Sequence, residues 1–245
     1  MGAVGVGEAV GLNKAPLARG LNPLLRGARD EKFARDIVEL LARLSQDMPP
    51  GLASELEALG EKLLWLREEG KVKINHSAME LVCAKELLLL GYKVDVEHDI
   101  DGLACDVYAW ANGTDLVVEI ETGFVPPDHA LDPLRYLRAR IASKIARYGC
   151  LADGFALGLP PHYVALIPSA FLKGGEERSE EELLALKELC DYYYHKPPVS
   201  LDELRSARLD WVFIIDVDAL STTILRPSIY QEAVRAFLKA SGTLA

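Results

Sequence analysis

Glutamine is nearly missing from this chain: among 245 residues it occurs only at positions 46 and 231, and asparagine is scarce. Together with 26% charged residues, this leans toward a thermophilic source. Cysteine pairs at zinc-ligand spacing are also missing. Cys83, Cys105, Cys150 and Cys190 lie far apart, which excludes a Cys-x-x-Cys structural zinc site. They read as core residues of a reduced, cytoplasmic protein, although a thermophilic source would make a disulfide less surprising. No apolar run approaches the roughly 18 residues of a membrane span, so no membrane partner is expected. Residues 1–12 contain Glu8 and no basic leader, so a secretory signal is not expected, and Val6 breaks the myristoylation pattern after Gly2. No Gly-x-x-x-x-Gly-Lys-Ser/Thr loop is present, which excludes the P-loop route to nucleotide hydrolysis. His76, His98, His129, His162 and His195 are too dispersed for a histidine-rich metal site, and no Ser/His/Asp or Cys/His set emerges from spacing.

Basic excess is lacking too. The net charge of −10 argues against non-specific coating of nucleic acid. Its distribution is uneven: residues 1–74 carry 11 basic and 11 acidic side chains, residues 75–170 carry 7 and 13, and residues 171–245 carry 9 and 13. Half the residues are hydrophobic, enough for one large domain or a medium domain with appendages.

Residues 1–28, rich in Gly, Ala and Leu, read as a flexible arm. Residues 29–73 read as a helical hairpin: Phe33, Ile37, Leu40, Leu41 and Leu44 recur at helical spacing, Pro49-Pro50-Gly51 breaks the pattern, and Leu56, Leu59, Leu63, Leu64 and Leu66 resume it. The hairpin serves packing or oligomerisation, with a helix-turn-helix DNA reader disfavoured by its neutral charge. A third helix spans 76–90, with Glu80 one turn after His76; that histidine reads as a cap, a surface residue or a hydrogen-bond partner of Glu80 or water. Residues 92–97 alternate as a strand, and Asp101-Gly102 marks a turn.

The informative stretch is 104–122. Asn112-Gly113 between two apolar runs predicts a two-residue hairpin. Pairing Ala111 with Thr114 then sets Asp106 directly opposite Glu119, with Glu121 on the same face. Two such charges about 5 Å apart repel by roughly 3 kcal/mol at an effective dielectric of 20. A divalent cation such as Mg²⁺, Mn²⁺ or Ca²⁺ would offset the repulsion; dispersal into water on a solvated strand face is the alternative. The flanking Val107, Tyr108, Val117, Val118 and Ile120 favour a sheet covered on both faces, and therefore the cation.

A helix over 132–148 follows, carrying five basic residues and no acidic one between Pro133 and Gly149. Arg140, Lys144 and Arg147 share one face, either solvated or contacting the phosphates of nucleic acid. Strands are expected at 154–159, 163–167 and 211–217, capping boxes at Ser179/Glu182 and Ser200/Glu203, and a last helix at 228–240. Tyr192, Tyr193 and Tyr194 either stack on bases or pack among themselves.

From residue 76 the order is helix, three strands, helix, strand. With Glu80 on the first helix, Asp106 on the second strand and Glu119-x-Glu121 on the third, residues from about 75 to 170 resemble the PD-(D/E)XK nuclease superfamily. The resemblance implies an α/β fold: a restriction-endonuclease-like αβββαβ core with a mixed central sheet over 74–170. The N-terminal helical hairpin precedes it, and a C-terminal α/β extension of helices and a strand packs on it over 171–245. It implies metal-dependent hydrolysis of DNA phosphodiesters. Mg²⁺ or Mn²⁺ would be held by Asp106, Glu119, the carbonyl of Ile120 and, directly or through water, Glu80. Most members carry Lys where this chain has Glu121. Glu121 would then act as general base or bind a second cation, or Lys144 would reach in from the following helix and replace the missing lysine. Dimers are common among such proteins, and a homodimer through the helical hairpin is expected. An inactive relative that keeps the fold, binding nucleic acid or a protein partner, is the competing expectation, and a hydrolase of small phosphorylated substrates a third.

Overall fold

A computed structural model describes residues 31–72 and 74–242. The expected arm over 1–28 lies outside the described residues. Helix α1 (Glu31–Leu44) buries Phe33, Ile37, Leu40, Leu41 and Leu44, as its periodicity predicts. The break comes earlier than expected. The chain turns at Ser45–Asp47, and Pro50 and Gly51 lie inside the first turn of α2 (Pro50–Glu68). Proline has no amide to lose at that position, so it starts a helix there instead of ending one.

Helix α3 (Ile74–Leu89) leads into three antiparallel strands, β1 (Lys93–Ile100), β2 (Leu103–Ala111) and β3 (Thr114–Ile120). Both connections are two-residue turns with positive φ throughout: Asp101 (53°) with Gly102 (86°), and Asn112 (53°) with Gly113 (80°). Such turns match the twist of the strands they join. Helix α4 (Pro133–Tyr148) then carries the chain to β4 (Gly154–Leu159), parallel to β3. Helices α5 (Glu180–Tyr193) and α6 (Leu201–Ser206) precede β5 (Trp211–Asp216), parallel to β4. An antiparallel β6 (Ser221–Leu225) and helix α7 (Pro227–Ala240) complete the described chain. The described residues form a mixed α/β fold, with six strands in sequence order.

Two expectations need correction. Residues 163–167 form no strand: Tyr163 N–H closes a turn onto the Pro160 carbonyl, and Pro168 follows. The C-terminal segment holds two strands, not one; Ser221–Leu225 has polar Ser and Thr at three of its five positions and no apolar run to announce it.

Alternation along the strands divides the core. Val107, Val118 and Ile120 pack with α1–α3 on one face. Val117, Phe155, Leu157 and Val212 pack with residues of α4–α7 on the other. The sheet is thus covered on both sides, as the apolar hairpin suggested. Three cysteines are buried; Cys150 is exposed, contrary to its expected core position. Both predicted capping boxes form, at Ser179/Glu182 and Ser200/Glu203. No helix among the described residues is long and apolar enough to cross a membrane.

One cation fastens the C-terminal segment. Arg178, just before α5, is buried and donates to the carbonyls of Ala170 (2.9 Å), Leu204 (2.6 Å), Arg205 (2.9 Å) and Lys173 (3.1 Å). Removing it takes a donor from four carbonyls at once, of which that of Ala170 keeps the Lys173 N–H. Arg178→Ala is expected to cost about 3 kcal/mol in urea denaturation, and Arg178→Lys to recover only part, because an ammonium lacks the planar fork. A loss below about 1 kcal/mol would contradict this.

Candidate functional site

The predicted hairpin register is observed, from Ala111↔Thr114 to Val107↔Val118. One step further, at Asp106 and Glu119, the ladder gives way to side chains. Asp106 N–H donates to Glu119 Oε1 (3.1 Å), and Ile120 N–H donates to Asp106 Oδ2 (2.5 Å). The carboxylates take over amides that would otherwise pair strand to strand.

The same row extends to β1. Val96↔Val107 and His98↔Cys105 flank the position where Glu97 stands opposite Asp106. Glu97 has φ of 46°, an uncommon conformation for a residue with a Cβ. Glu97, Asp106 and Glu119 therefore form one transverse line of carboxyls across three strands. Glu97 escaped the sequence reading. Its signal was the Asp101-Gly102 turn, which fixes the β1–β2 register as Asn112-Gly113 fixes the next.

Lys144 enters this line from α4. Its Nζ donates to Glu119 Oε2 (2.7 Å) and the Ile120 carbonyl (2.8 Å), and lies 3.4 Å from Asp106 Oδ2. One turn earlier, Arg140 Nε donates to the fully buried Glu121, which also accepts from Gly123 N–H (3.1 Å). Four residues on a helix rise about 6 Å and two on a strand about 6.6 Å, so Arg140 and Lys144 meet Glu121 and Glu119 in step. Two members of the predicted basic stripe are thereby turned onto carboxylates. The third, Arg147, donates from Nη2 to the Pro197 carbonyl (2.7 Å) and lines the cleft.

Two buried carboxyls share the single Lys144 ammonium, and their pKa values are displaced in opposite directions. Burial alone would raise the Asp106 carboxyl, but Lys144, His76 and the Ile120 amide outweigh it and hold Asp106 down. Burial and the neighbouring Asp106 push Glu119 up despite Lys144. The acidic neighbours raise Lys144 itself, against the effect of burial, so it keeps its charge.

Helix α3 approaches Asp106 from the opposite layer. His76 Nδ1 lies 3.3 Å from Asp106 Oδ1, a partner not foreseen for this histidine. Glu80, one turn on, is wholly buried, and neither carboxyl oxygen has a hydrogen-bond partner. Burial, then Asp106, Glu97 and Glu119, raise it well above the usual carboxylate range. Ligand atoms of His76, Glu80 and Asp106 lie within 4.8 Å of one another, close enough for one metal ion.

The site opens into a cleft of about 390 Å³, walled by Glu97, Asp106, Glu119 and Lys144, with Lys71, Arg147, Tyr136, Tyr148 and Tyr194 around them. Tyr148 O–H donates to the Ala104 carbonyl (2.9 Å). Of the three consecutive tyrosines, Tyr193 packs edge-on to His129 and Tyr136, and Tyr194 lies beside Tyr136; both belong to an internal aromatic cluster. Tyr192 is exposed under the Arg135 guanidinium.

A buried carboxyl with a raised pKa contributes its full stability below the ordinary value of 4.5 and loses it as pH rises toward its folded value. Without metal, Glu80→Gln should therefore match the wild type at pH 4.5. It should gain on it above that by at most about 1.4 kcal/mol per pH unit. Urea midpoints at pH 4.5, 6 and 7.5 in chelator read this directly; a pH-independent difference would count against it.

Comparisons of the chain with protein-family models, with curated proteins and with solved structures give no match, so the site stands on its own geometry.

Proposed function

We propose that this protein is a metal-dependent nuclease that hydrolyses DNA phosphodiester bonds on a restriction-endonuclease-like core. The observation that carries the reading is Lys144. It projects from α4 into the line of Asp106 and Glu119, beside the strand position where Glu121 stands in place of the expected lysine.

The residues fit a divalent cation. Glu80 is a buried, unpartnered carboxyl at the site, and such a group is costly unless something pairs with it. Asp106 and Glu80 would hold the ion; the resemblance adds Glu119 and the Ile120 carbonyl to the oxygen set, and both of these already accept from Lys144. Mg²⁺ or Mn²⁺, when bound, would activate water and offset charge developing on the phosphate. The chain's own groups supply the rest. Lys144 offers a fixed positive charge beside the carboxylates, suited to stabilising a developing oxyanion. Glu121 holds Arg140 and is not free to act as general base. Lys71 and Arg147 at the cleft place positive charge where a phosphate backbone would arrive, in a protein otherwise net negative.

The competing reading is a non-catalytic module on the same scaffold. It draws on the same ammonium, because Lys144 already serves Glu119 and the Ile120 carbonyl without any metal.

Plasmid nicking with Mn²⁺ tests the choice. Wild type should nick only with the divalent ion, and Asp106→Ala and Lys144→Met should each lose at least about a hundredfold in rate. Unchanged nicking by Asp106→Ala would sink the nuclease reading. A folded wild type that binds no divalent ion would favour the module. Glu121→Gln should act mainly on stability, costing about 3 kcal/mol, since it leaves the Arg140 guanidinium without its carboxylate, with the Tyr136 hydroxyl as the remaining acceptor.

A further inference from the structure

Asp106 turns its two oxygens to different surroundings. Oδ2 accepts the Ile120 amide and faces the Lys144 ammonium; Oδ1 faces His76. Lys144 also serves Glu119 Oε2 and the Ile120 carbonyl, the two β3 groups in the oxygen set above. On that side of Asp106 a tethered cation is already in place. On the α3 side, among the described residues, none is hydrogen-bonded to Glu80. Both Glu80 oxygens are buried without a hydrogen-bond partner, and one ligand atom from each of His76, Glu80 and Asp106 lies within 4.8 Å of the other two.

We propose that the metal centre lies on the α3 side, with His76, Glu80 and Asp106 as its protein ligands, and that it takes a divalent transition-metal ion such as Mn²⁺ in preference to Mg²⁺. His76 and Glu80 are four residues apart, so α3 presents a nitrogen and an oxygen donor from one face. Imidazole nitrogen suits first-row transition metals, whereas Mg²⁺ favours an all-oxygen shell with several waters. The two positive charges then have separate places: Lys144 against Glu119, the metal against Glu80, and Asp106 shared between them. Lys144 need not leave for the metal to bind.

This inference rests on the metal-dependent reading of the site, but its test does not require cleavage. Mn²⁺ and Mg²⁺ are titrated separately into the full chain by calorimetry. Mn²⁺ should bind at least tenfold more tightly. His76→Ala should remove that preference by lowering Mn²⁺ affinity tenfold or more, and Glu119→Gln should change it less than His76→Ala does. Pulsed electron paramagnetic resonance of the Mn²⁺-loaded wild type should show ¹⁴N coupling from one imidazole, a readout that needs no variant to fold. Equal affinities for the two ions, or bound Mn²⁺ without ¹⁴N coupling, would overturn the assignment even if the protein nicks plasmid. Nitrogen-coupled Mn²⁺ in a protein that nicks nothing would uphold the centre and retire the nuclease reading. No binding of either ion would overturn both.

Discussion

The site depends on one largely buried ammonium group at the wall of the cleft. Lys144 Nζ lies among Glu119, Asp106 and the Ile120 carbonyl and ties the three together. The positive charge lets two strands bring their carboxyls to one level. It holds the Asp106 carboxyl down against burial, and the ammonium donates to the Ile120 carbonyl. Desolvating such a group is costly, and three acceptors together offset the cost. The result is local: the apolar pairs beside it, Val107 with Val118 and Tyr108 with Val117, keep ordinary register.

Asp106 is where the two helical layers communicate through the sheet. Elsewhere the sheet separates them, with Val118 packed toward α3 and Val117 toward α4. At Asp106 the backbone ladder has opened, and His76 from one layer and Lys144 from the other reach the same carboxylate. A sheet whose amides were all paired backbone to backbone would leave no such opening. Donation of the Asp106 and Ile120 amides to side chains is therefore part of how the site is built, and the acceptors are the carboxylates that define it.

Legibility in the sequence follows the range of the forces involved. The Asp106–Glu119 juxtaposition was readable because Asn112-Gly113 leaves the turn little choice, and register then propagates by counting. The same count from Asp101-Gly102 brings Glu97 opposite Asp106, so that residue was readable in principle. The Arg140–Lys144–Arg147 stripe shows the limit. Helical periodicity tells which residues share a face, but not what the face meets. Only the packing of α4 on β3 turns Arg140 and Lys144 onto Glu121 and Glu119 instead of toward solvent. The segment over 163–167 failed for a related reason: Ala165 and Ile167 are buried from a loop, where burial imposes no strand, and Val164 is exposed.

The pairing of Glu-x-Glu with Arg-x-x-x-Lys works as a vernier. A strand and a helix have incommensurate repeats, and they come into coincidence over a short span. Here two coincidences fall side by side, and each carries opposite charges. Sliding the helix by a fraction of a turn would spoil both matches together, so α4 has no shallow path along β3. Its position is set to within a side chain's reach, although Lys144 is a long and flexible residue. The tether gains its accuracy from the rigid spacing of its neighbour, Arg140, and not from any stiffness of its own.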